Sequence, residues 1–282
     1  MFFIDITKAQ PCGWAFCIFL AVFPFGYCKT RRVVVKYEIR VISPESIEWG
    51  DAGMETVELK LIARIESAFQ EKFGIPRQSG LAPSLTARIV FEPEFRNPDA
   101  LRGIEGFSHL WLIWQFSKAV RADWSPTVRP PRLGGNTRVG VFASRSPFRP
   151  NAIGLSCVKL EAVERDPVCG PVLIVSGADL LDGTPIFDIK PYLPYADSVP
   201  QAVGGFAPSA PAPSLTVEAG DGVLSPLPER LQTALLDVLA LDPRPSYQDD
   251  PDRVYGMRFA GFEVRFRVAG HTLRVLSVSR AD

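Results

Sequence analysis

Histidine is nearly missing from this chain: its 282 residues hold only His109 and His271. Cysteine is sparse and scattered, with Cys12, Cys17 and Cys28 near the start and Cys157 and Cys169 far downstream. No CxxC pair occurs and no His cluster accompanies the thiols, so the spacing offers no zinc site and no metal is expected. The two later cysteines look like ordinary residues of a reducing compartment, which predicts a cytoplasmic location for the body of the chain. A glycine-rich dinucleotide fingerprint is also lacking; Gly220-Asp221-Gly222 comes nearest and follows no strand. Strand–helix alternation is absent, which argues against a doubly wound sheet. So is any excess of charge, since 31 Lys and Arg balance 31 Asp and Glu.

The balance breaks down locally. From Trp124 to Leu160 there is no Asp or Glu, yet Arg129, Arg132, Arg138, Arg145 and Arg149 all fall there. Pro130, Pro131, Gly134, Gly135, Pro147 and Pro150 interleave them and forbid a continuous helix. Guanidinium groups on rigid loops suit a polyanion or a carboxylate-bearing small molecule, because they meet either with paired hydrogen bonds. Binding follows local field rather than net charge, so this segment outweighs the neutral total.

Residues 12–27 form an apolar run that is too short for a comfortable membrane span and contains Pro24. Its flanks do not fit a secretory signal. Met54 then opens a clean pattern. The expectation is a functional start near Met54, with residues 1–53 as an upstream extension; the alternative is a weak membrane anchor. Val57, Leu59, Leu61, Ala63 and Ile65 recur at every second position, the period of a half-buried strand. A long loop over 67–84 follows. Strand-like runs come next at 86–91, 107–116, 138–143, 153–164, 171–176 and 185–190. The run at 107–116 is apolar on both faces and should be central. Many short strands with turn signals predict a mainly β barrel or sandwich of antiparallel strands. Residues 200–225, rich in Pro, Ala, Gly and Ser, read as a linker. Beyond it, Leu231, Leu235, Val238 and Leu239 share a helical face between Pro228 and Asp242-Pro243. Strands near 254–259, 262–268 and 272–279 make a small C-terminal helix-and-hairpin subdomain over 226–282, an α+β tail to a body over 54–199.

Several strings now stand out in order: Pro76-Arg77-Gln78, Arg102-Gly103, Phe107-Ser108-His109-Leu110-Trp111, Arg129-Pro130-Pro131-Arg132-Leu133-Gly134-Gly135, Gly140-Val141-Phe142-Ala143, and Arg145-Ser146-Pro147-Phe148-Arg149-Pro150-Asn151. Asp182-Gly183-Thr184-Pro185, Asp188-Ile189-Lys190-Pro191-Tyr192 and Leu241-Asp242-Pro243-Arg244-Pro245 follow. Together they resemble the TsaA-like, or TrmO, family of tRNA methyltransferases across roughly residues 57–282. The resemblance implies a single-sheeted antiparallel β-barrel with a smaller C-terminal domain, working as a homodimer. It implies S-adenosylmethionine as cofactor and N6 of threonylcarbamoyladenosine in the tRNA anticodon stem-loop as the methyl acceptor. It also implies a cofactor pocket built from Gln78, Ser79, Gly80, Phe116, Ser117, Arg145, Leu155 and the loop Ala178, Asp179, Leu180, Leu181, Asp182, Gly183, Thr184 and Pro185. The family more often has Pro where Ser79 stands.

Beside that, the residues have their own chemistry. Asp-Gly followed by Thr-Pro makes a tight turn. A carboxylate there can take ribose hydroxyls or face an ammonium group. Methyl transfer to a carbamoylated nitrogen gains from a group that takes its proton at about 3 Å. Asp182, Asp179 and His109 are the candidates, and sequence does not rank them. His109 sits in an apolar strand, where a histidine is more often a satisfied core residue. Arg129, Arg132, Arg138, Arg149 and, with a weaker case, Lys190 are expected to hold tRNA. A non-catalytic barrel that binds S-adenosylmethionine or RNA is the competing reading.

Overall fold

The computed structural model describes residues 57–282 apart from 211–214, 246–247, 249 and 282. The expectations for residues 1–53, including a start at Met54, lie outside the described residues. Residues 57–282 form one compact unit. Among the described residues no helix is long and apolar enough to cross a membrane.

Period two decides the strands. In β1 (Ala63–Glu66), Ala63 and Ile65 point inward; in β2 (Thr86–Phe91), Ala87, Ile89 and Phe91 do. β3 (His109–Gln115) buries Leu110, Leu112 and Trp114, while its other face is half-buried. A two-residue ladder follows, of β4 (Thr127–Val128) with β5 (Val139–Gly140). β6 (Ile153–Asp166), β7 (Gly170–Ser176) and β8 (Pro185–Pro191) come next. The strand order is β1-β2-β7-β6-β3-β8, and β8 returns to β1 through Ala63↔Ile186 and Arg64↔Pro185, so the barrel closes. Every neighbouring pair in it is antiparallel. Closure leaves no exposed ladder edge.

Three segments differ from their sequence reading. The alternation beginning at Val57 becomes strand only at Ala63, and Val57 and Leu59 are 78% and 51% exposed. On the β2 side the partner runs out: Phe91 ends β2 opposite Ala63, and a 3-10 turn, Pro93–Phe95, follows it. The strand read at 138–143 shrinks to Val139–Gly140 and a single 3-10 turn, Val141–Ala143. Its partner β4 lies between Pro126 and Pro130, which cannot lengthen the ladder. The linker read at 200–225 contains β9 (Thr216–Ala219), which pairs in parallel with the last strand. Leu215 is buried and Val217 half-buried against the C-terminal core, which is what recruits that segment.

After a one-turn helix, α1 (Pro194–Asp197), and β9 comes α2 (Glu229–Ala240), whose Ala234, Leu235, Val238 and Leu239 are buried. It ends where Asp242 turns left-handed at φ 52 and its carboxylate holds Arg244 by bonds of 2.9 and 3.0 Å. Pro243 cannot continue the helix. β10 (Val254–Phe259), β11 (Phe262–Ala269) and β12 (Thr272–Arg280) complete a four-stranded sheet in the order β10-β11-β12-β9. The β1–β2 loop supplies part of this second core. Phe69, Ala82 and Leu85 are buried in it, with Phe69 edge-on to Phe259 at 6.0 Å. Ala260 N–H donates to Ala68 C=O at 2.7 Å, and the Ser84 hydroxyl donates to the Asp237 carboxylate.

Candidate active site

Three chain segments meet at one flank of the barrel. The first is the far half of the β1–β2 loop. Gly80 N–H donates to Gly177 C=O at 2.8 Å, and a Cβ on Gly177 would lie 3.1 Å from Gly80 Cα. That close approach seats Gln78, Ser79 and Gly80 against the end of β7. The second segment is the close of the arginine run. Arg145 Nη1 donates to Gln78 Oε1 at 2.6 Å. The third is the loop after β7. The Asp179 carboxylate accepts from the Ser156 hydroxyl at 2.6 Å and from the Ser79 backbone, and feels the charge of Arg145.

Behind Asp179 lies a buried chain of polar groups. Trp114 Nε1 donates to Ser156 Oγ at 3.0 Å, and Ser156 passes its proton side to Asp179. The Trp114 ring lies flat on Gly154, where a Cβ would come within 2.4 Å of it. Burial pushes the Asp179 carboxyl above its ordinary range, against the opposing pull of Ser156, the backbone and Arg145. Phe116 packs 4.3 Å from the Trp114 ring, whereas Leu155, 53% exposed, lies on the outer face of β6, opposite the inward Ser156. Ser117 is exposed just beyond Phe116. Ser156 and Gly177 were not singled out from sequence. Ser156 could have been, as a polar residue at an inward position between Gly154 and Val158.

The other carboxylate of the loop does different work. Asp182 Oδ1 accepts from Ser67 N–H at 2.9 Å, and Asp182 N–H donates to Phe69 C=O at 2.7 Å. Gly183, at φ 71, donates to Ile65 C=O, and buried Thr184 accepts from Ile65 N–H. Leu180 is fully buried in the barrel core and Ala178 nearly so, with Leu181 and Pro185 half-buried. The Asp182–Pro185 turn is therefore sewn to β1. His109 stands elsewhere again. It begins β3, bonded to the Ser108 hydroxyl and edge-on to Tyr192, whereas Phe116 lies just past the strand's other end. Seven residues of extended chain put about 20 Å between them. Lys190 pairs with Trp111 in the same ladder and with Asp188 at 2.8 Å, so it belongs to the His109 end.

The arginines divide as well. Arg129, Arg132, Arg138 and Arg145 are exposed, while Arg149 is half-buried and donates to Ser144 C=O. Arg132 reaches Ser209 C=O at 2.6 Å and Arg138 reaches Thr127 at 2.9 Å. A cavity of about 280 Å³ lies away from this flank, among Phe91, Phe95, Leu101, Ile104 and Ile189. Its rim acids are engaged, Glu94 by Lys60 and Asp188 by Lys190.

A buried carboxylate, a guanidinium and an apolar ring lie together on this flank, groups with the chemistry to meet a zwitterion that carries an aromatic end. A family model described as the tRNA-methyltransferase O N-terminal domain matches residues 64–198, and one for the TrmO C-terminal domain matches residues 218–281. The chain is 42% identical over 236 residues to a tRNA (adenine(37)-N6)-methyltransferase of Escherichia coli, covering 80% of this chain and 99% of the relative. It is 43% identical over 234 residues to RcsF of Pseudomonas aeruginosa, whose name places it among S-adenosylmethionine-dependent methyltransferases; 78% of this chain and 97% of that one are covered. A crystal structure of TrmO from Pseudomonas aeruginosa superposes with a TM-score of 0.67 at 37% identity, over 82% of this chain and all of that one.

Proposed function

A chain carrying both TrmO domains belongs to the TrmO family, and from that premise we propose that it methylates N6 of threonylcarbamoyladenosine at position 37 of the tRNA anticodon loop. The chain is a tRNA methyltransferase and uses S-adenosylmethionine. The convergence of Gln78, Arg145 and Asp179 on one flank carries this reading. The residues fit the cofactor chemically: Arg145 suits its carboxylate and Phe116 its adenine, which leaves Asp179 to serve the methyl acceptor. S-adenosylmethionine supplies, when bound, a methyl group on a sulfonium. The protein's own task is alignment, which in favourable cases contributes about 7–11 kcal/mol.

Of the three candidate proton acceptors, Asp179 is the best supported. It stands beside Arg145 and Ser79, and its raised pKa gives it basicity that an exposed carboxylate lacks. Asp182 is tied to Ser67, and His109 lies at the far end of β3. Arg129, Arg132 and Arg138 serve the anticodon stem-loop phosphates; Arg149 fixes the turn that carries Arg145. The homodimer is supported by the apolar outer band of Ile153 and Leu155, 37% and 53% exposed.

Purified protein, labelled methyl donor and tRNA bearing the unmethylated threonylcarbamoyl nucleoside form the test, read by mass spectrometry of digested nucleosides. Label on N6 of that nucleoside is expected. Donor binding with no transfer to any tRNA would establish the non-catalytic alternative instead.

A further inference from the structure

The basic ribbon carries aromatic rings that the rest of the described protein leaves open. Trp124 is 54% exposed, Phe142 74% and Phe148 39%. The short β4–β5 ladder gathers two of them. Val141 N–H donates to Pro126 C=O at 2.9 Å, just beyond the Thr127↔Gly140 pair, so residues 124 and 142 leave the same end of the ladder. Their rings lie 6.2 Å apart, tilted by 33°. At the opposite end, Val128 pairs with Val139, which sets Arg129 and Arg138 side by side. Arg121 lies 3.9 Å above the Phe148 ring, adding a further cation nearby in sequence. Asp123 adjoins Trp124, but no other carboxylate occurs until Glu161.

Such an arrangement is poorly explained as core, because the rings are not buried. It is also more than a phosphate clamp, because phosphates need no aromatic surface. A base inside a stacked RNA loop hides its reactive edge, and freeing it requires replacement of the lost stacking. An aromatic face does this for any base, since every base has a π-face. Phe142, in the turn after β5, and Arg138, just before β5, flank the two ends of the short ladder, so one strand can lay a base on the first and its phosphates on the second.

We propose that Trp124 and Phe142 form a stacking platform for an unpaired base of the anticodon loop, with Arg129 and Arg138 on the adjoining phosphates. The proposal rests on the tRNA methyltransferase reading and adds the part of the chain that holds the loop open. The occupant is a single-stranded base, by charge complementarity with the acid-free ribbon; a second copy of the chain is the rival occupant.

The full chain tests it. Binding of an anticodon stem-loop with an unpaired loop is compared with that of a fully paired hairpin of the same length, and KM is measured with intact tRNA. Phe142→Leu and Trp124→Leu are expected to raise KM and weaken stem-loop binding roughly 5- to 150-fold, the equivalent of one lost base–aromatic stack. Phe142→Tyr should restore most of it, and affinity for the paired hairpin and for S-adenosylmethionine should hold. Equal behaviour of the Leu and Tyr variants, a parallel loss with the paired hairpin, or a change of molar mass in sedimentation overturns the platform. Unchanged KM in both leucine variants does so too. Failure of the unaltered protein to methylate any tRNA sinks the underlying functional reading, and the platform is then still judged from stem-loop binding.

Discussion

Asp179 carries two opposed demands. Its burial favours the neutral acid, while Ser156, the Ser79 backbone and Arg145 favour the charged form. Burial dominates, so the folded pKa lies above the unfolded one. The stability tied to this group is then fully present below the unfolded carboxyl pKa and is lost as pH rises through the raised folded value. Asp179→Asn should remove that loss. We expect it to be at least as heat-stable as the parent at neutral pH, with a flatter melting temperature against pH, while methyl transfer falls by about 10²-fold or more. Calorimetry across pH and single-turnover transfer read the two effects separately. The acidic limb of the parent's kcat profile should also sit above the ordinary carboxylate range. Ser156→Ala makes the complementary case. It strips a partner from both Trp114 Nε1 and Asp179, buried groups that cost about 1–3 kcal/mol each when left unsatisfied. A clear drop in melting temperature is expected, and an unchanged one would deny the relay any structural weight. Asp179 was legible in sequence as one carboxylate among several. Its difference from Asp182 was not, because three residues of loop can turn either acid inward, and only the bonds from Ser156 and Ser67 decide which.

The elements show the same division between what periodicity carries and what pairing decides. The β2, β7, β8 and β10–β12 segments and the α2 helix declare themselves through spacing, since a half-buried strand or helix must repeat with its own geometry. The first residues of the Val57–Ile65 alternation have that pattern and still fail to pair, because β2 ends at Phe91 and turns away. β9 hides in a Pro- and Ala-rich stretch because it needs only four residues and a neighbour. The flank that holds Gln78, Arg145 and Asp179 depends on a feature of this second kind, the Gly80–Gly177 seam. Gly177→Ala would force a side chain into φ 73 and within 3.1–3.2 Å of Gly80 backbone atoms, which cannot swing aside. The loop bearing Gln78 must shift, so we expect weaker S-adenosylmethionine binding by isothermal calorimetry, with tRNA affinity largely retained. The arginine ribbon predicts the opposite pattern. Arg129→Ala and Arg138→Ala should leave cofactor affinity alone and reduce the slope of log affinity against log salt by about 0.7–0.9 each. Arg149→Ala, whose guanidinium faces Ser144, should instead lower stability and leave the slope unaltered.

Barrel and C-terminal sheet are coupled through one loop, and this sets how residues 57–282 respond to truncation. The β1–β2 loop begins with Ser67 and Phe69, passes Gln78–Gly80 and ends at Leu85. Its middle reaches Arg145 and Asp179, while Phe69, Ala82 and Leu85 are buried in the core shared with α2 and β10–β12. The C-terminal unit is thus the anchor that holds the Gln78–Gly80 loop in place. Phe69→Ala removes an aromatic ring from the center of that anchor, at a cost of about 3–5 kcal/mol, and leaves in place the backbone bond from Asp182 N–H to the residue 69 C=O. Unfolding of residues 57–282 is expected to give one calorimetric transition, and Phe69→Ala to lower it as a whole. It should also weaken S-adenosylmethionine binding at temperatures where the variant remains folded, because the Gln78–Gly80 segment loses its footing. A chain ending at Val199 should fare worse, exposing Phe69, Ala82 and Leu85 together, and should fail to bind the cofactor even if its barrel strands form. Two separate transitions, with a truncated barrel that binds S-adenosylmethionine at full affinity, would show the loop to be positioned by the barrel alone.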